Sequence, residues 1–122
     1  MLNTHAALDA GALARLTELD PTGENRLVDR VLQAFRASVL RLRPQLDAAR
    51  QSGDRSAIRL VVHTLKSSSA SIGALSLSQL CAQIETVIRV DATADLSAPL
   101  AALDTDLDDA LRAIDALLKE RA

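Results

Sequence analysis

The chain has two histidines, His5 and His63, and one cysteine, Cys81. A neutral imidazole is a competent nucleophile near pH 7, and His63 is the one set among residues that could use it. Arg59 stands four residues before it and Lys66 three after, so at helical spacing both share its face. Ser56, Ser67 and Ala70 keep the surrounding surface low. Ile58, Val61, Val62, Leu65, Ser69 and Ile72 gather on the opposite side, and His63 lies about 150° from the centre of that stripe, pointing to solvent. A dianionic group placed on a ring nitrogen would find a stabilising ammonium in Lys66, and small neighbours would let a second protein close over the ring. On composition alone the same residues also describe an ordinary surface histidine among ordinary surface charges.

Glu85 is the second residue of interest. If the helices before and after Gly73-Ala74 form an antiparallel hairpin, His63 and Glu85 lie side by side, each eleven residues from Ala74. Glu85 sits about 80° off the apolar stripe of its own helix, on a flank that can reach a neighbour. Two readings stay open. Its carboxylate can accept the Nδ1–H of His63 and leave Nε2 free to attack, or it can pair with Arg89 at i+4 on the surface.

The elements that must position these residues are helices. A first helix is expected over Ala10–Leu19, with Asp9 as N-cap and Leu8 and Leu13 as a hydrophobic staple. The DPTGEN run at 20–25 reads as a connection. A long second helix is expected over 24–51, its stripe running through Val28, Val31, Leu32, Phe35, Val39, Leu42, Leu46 and Ala49, with Pro44 expected to kink or divide it. Gly53 then reads as a helix-ending residue and Asp54 as the next N-cap. The third helix ends at Gly73 and the fourth spans about 75–90, with Leu77, Leu80, Cys81, Ile84 and Ile88 on one face. Ser97 is expected to cap the last helix, with Pro99 in its first turn and Leu100, Leu103, Leu107, Leu111, Ile114 and Leu118 as its stripe. The fold expected is all-α: an antiparallel up-down-up-down four-helix bundle with a short additional N-terminal helix, one domain over 1–122 with an ordered bundle at 8–120.

Composition narrows the function classes. Apolar residues make up 48% of the chain but Phe35 is the single aromatic, which suits closely packed helices of Leu, Val, Ile and Ala. Fourteen basic and sixteen acidic residues give a net charge of −2, so neither a basic patch nor a base-stacking platform recommends nucleic acid. The apolar runs are far short of the ~20 residues that span a bilayer, and MLNTHAALDA does not read as a secretory signal. A lone Cys81 cannot form an internal disulfide, which fits a reducing cytoplasm, the expected location; it falls in an apolar stripe and reads as a small core residue. His5 is expected to be inert in a frayed terminus. Asp104, Asp106 and Asp108 imitate the start of a calcium loop, but Asp109 stands where that loop needs Gly and the segment has helical period. No phosphate-binding glycine motif occurs, so no ATP site, cofactor or metal is expected on this chain.

The run AIRLVVHTLKSSSASIGALSLSQLCAQIE, residues 57–85, resembles the signature of histidine phosphotransfer (HPt) domains of multistep two-component phosphorelays. That signature is a His followed by x-Leu-Lys-Gly, a second Gly at about ten residues, then Leu-x-x-x-Cys-x-x-x-Glu; the helical layout resembles the family over about 8–120. The resemblance implies a four-helix bundle that acts as a phosphocarrier without its own ATP chemistry. On matching positions, His63 would be the phosphoacceptor, Lys66 the phosphate-stabilising cation and Glu85 the residue that orients the imidazole. The chain departs from the pattern where the family's Gly after Lys is Ser67, a small neighbour that is expected to preserve access. The implied partners are response-regulator receiver domains, which would bring the aspartate and its Mg²⁺, and a hybrid sensor kinase; the chain is expected to be a monomer. Exposed apolar residues near His63, such as Leu60 and parts of the first and second helices, would form the docking surface. Two rivals share the fold: a bundle that binds receivers or scaffolds without transfer, and a phosphatase acting on a receiver phospho-aspartate.

Overall fold

Four aspartates and two glycines punctuate the chain into helices. Asp9 accepts from the backbone N–H of Ala12 at 2.9 Å and opens α1, Ala10–Leu19. Asp54 does the same for Ala57 at 3.0 Å and opens α3, Arg55–Ser71. Between them runs α2, Leu27–Ser52, which ends on Gly53 at φ +68. Beyond Gly73 follow α4, Leu75–Val90, and α5, Ser97–Glu120. These elements come from a computed structural model, which describes residues 8–121; His5 lies outside them. Among the described residues the structure is wholly helical.

α2 to α5 form the antiparallel four-helix bundle, each packed on the next and α5 closing back on α2. The direction is legible in the ion pairs: Arg36 with Asp115, Arg43 with Asp108 and Arg50 with Asp104 climb α2 while descending α5. Inside lie the expected stripes, including Leu32, Val39, Leu46, Val62, Leu65, Ile84, Leu103, Leu107 and Ile114, each essentially sealed from water. A core of this kind needs no aromatic slab, because branched aliphatic side chains interdigitate between closely spaced helices. α1 packs on α2 and lies against the α3–α4 turn. Asp9 donates its backbone N–H to the Gly73 carbonyl at 2.7 Å, and a Cβ on Gly73 would come within 2.8 Å of the Ala12 Cβ. At φ +79, Gly73 therefore serves both the turn and the close approach of α1.

Three expectations need correction. α2 starts at Leu27 rather than residue 24: Gly23 and Arg26 adopt positive φ, and the Asp20 carboxylate, seven residues upstream, accepts the Leu27 N–H at 3.1 Å. Pro44 does not divide α2. The carbonyl it leaves without an amide partner belongs to Leu40, a solvent-facing position where water can take it. Ser97 is the first residue of α5 and not its cap; Asp95 instead accepts from both the Ser97 backbone N–H and hydroxyl, at 2.9 and 2.6 Å.

Candidate functional site

α3 presents its buried residues Val62 and Leu65 to the core on either side of His63, so their packing sets the azimuth of the imidazole. The His63 side chain is 59% exposed, as the wheel requires. Its Nδ1 lies 2.7 Å from Oε2 of Glu85 on α4. The other carboxylate oxygen, Oε1, accepts from Nζ of Lys66 at 2.6 Å. Glu85 is thus shared by both candidate residues of α3, and its side chain is only 18% exposed.

The hydrogen bonds from Lys66 and then His63 outweigh partial burial and hold the Glu85 carboxyl below the usual carboxylate range. An ionised carboxylate can only accept, so the proton in the short contact belongs to Nδ1 of His63. In the neutral ring the lone pair is then on Nε2. Of the two open readings of Glu85, the geometry selects the contact to His63; both its oxygens are engaged across the hairpin rather than with Arg89.

Sequence reasoning placed Lys66 beside the imidazole, which is where it lies, but did not foresee that its ammonium would reach the same carboxylate. It also missed Ser78, whose hydroxyl on α4 donates to the backbone carbonyl of Lys66 at 2.9 Å. That bond ties the two helices at the level of the site and holds the axial register on which the Glu85 contacts depend. A serine on the α3-facing flank of α4 was the available signal. Ser67 is exposed, one residue beyond Lys66, and leaves the approach to His63 low.

Two grooves flank the His63 ridge. The one between α3 and α4, about 550 Å³, is lined by Ser56, Arg59 and Lys66 from one helix and Ala82, Glu85, Thr86, Ile88 and Arg89 from the other. The one between α2 and α3, about 210 Å³, is lined by Leu42, Gln45, Ala57, Leu60, Val61 and Thr64. Leu60 is 60% exposed there, a large apolar side chain one turn from His63.

The remaining candidates have structural roles. Cys81 is sealed in the core, and burial, reinforced by Asp106 and Glu85, pushes its thiol up to about 12. Asp104 and Asp108 are helical and committed to Arg43 and Arg50, while Asp106 accepts from Ser76, so the calcium-loop imitation is not a loop. Among the described residues no group of His, Cys, Asp and Glu is arranged to hold a metal, and no helix is long and apolar enough to cross a membrane.

The Hpt domain family profile matches residues 30–117. Among solved structures, the histidine-containing phosphotransfer protein B (HptB) from Pseudomonas aeruginosa PAO1 aligns with a TM-score of 0.80 and 26% identity, covering 94% of this chain and 96% of that one. No curated protein sequence matches the chain.

Proposed function

The chain belongs to the Hpt domain family, the histidine phosphotransfer modules of phosphorelays, and on that premise we propose that His63 takes a phosphoryl group from the aspartate of one receiver domain and passes it to that of another. The observation that carries this reading is the 2.7 Å contact between Nδ1 of an exposed imidazole and a carboxylate. It leaves Nε2 as the free, outward nucleophile.

In the forward step the Nε2 lone pair attacks phosphorus as the bond from phosphorus to the aspartyl oxygen breaks, and that electron pair leaves on the receiver's carboxylate. The Nδ1 proton stays in place, and the positive charge that develops on the ring is met by Glu85. Orientation costs little at the moment of reaction, because the Glu85 contact already holds the ring. Lys66 keeps two N–H donors beyond the one given to Glu85, and these are available to phosphoryl oxygens. Ser67 is proposed as a small neighbour that permits close approach. The aspartate and Mg²⁺ are proposed to come from the receiver; this chain contributes no ATP chemistry, cofactor or metal. A hybrid sensor kinase is proposed to feed the relay, with this chain acting as a monomer in the cytoplasm.

Incubation with a ³²P-labelled phospho-receiver tests the reading. Acid-labile label should appear on the wild-type chain and be absent from His63→Gln. Binding without label would support the alternative, a bundle that docks receivers without transfer. Loss of receiver label to free phosphate, with none on the chain, would support a phosphatase.

A further inference from the structure

In the α3/α4 groove the charge of Lys66 is already spent. Its Nζ is 2.6 Å from Glu85 Oε1, so ammonium and carboxylate cancel as a pair. A phosphoryl group on Nε2 of His63 would bring negative charge to a rim where the charge of Lys66 is already matched by Glu85. Two further cations line the same groove. Arg59 is one turn before His63 on α3, and i,i+4 neighbours have Cβ atoms about 5–6 Å apart. Arg89 stands one turn after Glu85 on α4. Both are exposed, and among the described residues neither side chain makes a hydrogen bond or an ion pair. By contrast Arg36, Arg43, Arg50, Arg112 and Arg121 are all paired with aspartates. With His63 neutral, the ionisable groups of this groove are Arg59, Lys66, Glu85 and Arg89, and the surplus is two positive charges, both on guanidinium groups.

We propose that Arg59 and Arg89 supply the net positive charge that stabilises the phosphoryl group at this site, while Lys66 holds Glu85 and offers its remaining donors. Guanidinium suits the role, since it stays charged at any working pH and sits on a long side chain that can lean toward the ring. The inference rests on His63 being the acceptor and deepens that reading by assigning which charges stabilise the transferred group.

Phosphoramidate, a small anionic donor, tests it without any receiver. The donor's P–N bond breaks, ammonia leaves and the new bond forms to Nε2. At low ionic strength, Arg59→Gln and Arg89→Gln should each slow labelling about 3-fold, the effect of one unit charge roughly 6–8 Å away in a water-like dielectric. The double variant should be slowed about tenfold, and ~0.5 M salt should erase most of the difference. Arg59→Lys and Arg89→Lys, which keep the charge, should recover at least half of the rate, and Arg112→Gln on α5 should match wild type. On phosphorylation, the side-chain Nε–H resonances of Arg59 and Arg89 should shift while that of Arg112 stays. Labelling at the wild-type rate in both Gln variants, or a loss that Lys does not restore, would overturn the proposal. Because the donor is a small molecule, that result leaves the relay reading standing; failed transfer from receivers with the arginine effects intact would do the reverse.

Discussion

The groove between α3 and α4 and the groove between α2 and α3 run along opposite sides of one histidine, yet they share almost no chemistry. Arg59, Lys66, Glu85 and Arg89 make the first a charged trough. Leu42, Ala57, Leu60 and Val61, with Gln45 and Thr64, make the second neutral and largely apolar. The difference starts on a single helix: from His63, Arg59 and Lys66 turn about 40–60° one way and Leu60 and Thr64 about 60–100° the other. It is completed by the neighbours, since α4 brings a carboxylate to one side and α2 brings leucine to the other. An acceptor histidine needs both kinds of surface. Charge must be placed where the phosphoryl group arrives, and apolar area must be left where a protein can bury it without desolvating ions.

The largest expected effect removes the ridge itself. His63→Gln should abolish phosphoryl acceptance from a receiver, while circular dichroism and thermal unfolding stay close to wild type because the side chain is exposed. Transfer retained in a folded variant would move the acceptor elsewhere.

On the charged side, Glu85→Ala should slow acceptance by about 10-fold, since orientation assists attack without creating the nucleophile. Glu85→Gln separates two contributions: its amide oxygen still accepts from Nδ1–H but no longer neutralises Lys66. If geometry dominates, single-turnover rates for Gln will fall near wild type; if charge dominates, they will fall with Ala.

On the apolar side, Leu60→Ala should raise the KM for a phosphorylated receiver about 5-fold with kcat little changed, as expected for lost apolar contact at a docking surface. A kcat effect instead would mean that the two sides are less separate than their chemistry suggests.

The smallest effect is on stability. The folded-state pKa of Glu85 is depressed, chiefly by Lys66 and next by His63. Its contribution is therefore complete above the unfolded value of about 4.3 and is lost as pH falls through the lower folded value. Both partners are partly exposed, so that contribution should be only about 0.5–1 kcal/mol. Urea unfolding should show Glu85→Gln less stable than wild type at pH 7, with the gap closing below about pH 4. Asp29, buried between Arg26 and Arg121, is depressed in the same sense, first by Arg121 and then by Arg26, so the wild type should lose stability at this acid end through Asp29 as well as Glu85.

What the sequence determined by itself is what depends on near neighbours. Helical period, the Asp9 and Asp54 caps, the stop at Gly53 and the outward face of His63 all arise within about one turn of chain, where spacing alone carries the physics. The antiparallel layout followed because short links leave few alternatives, and pairing about Ala74 was enough to bring Glu85 opposite His63. Tertiary structure decided which atoms meet. The axial register and rotation of α4 against α3 direct one Glu85 oxygen to Nδ1 and the other to Lys66, and let Ser78 reach the Lys66 carbonyl. The same holds for Asp20 capping α2 from seven residues away and for α1 resting on Gly73. Such contacts turn on displacements of an ångström or two between packed helices, set by how the core side chains interdigitate, and no local pattern in the chain encodes those displacements.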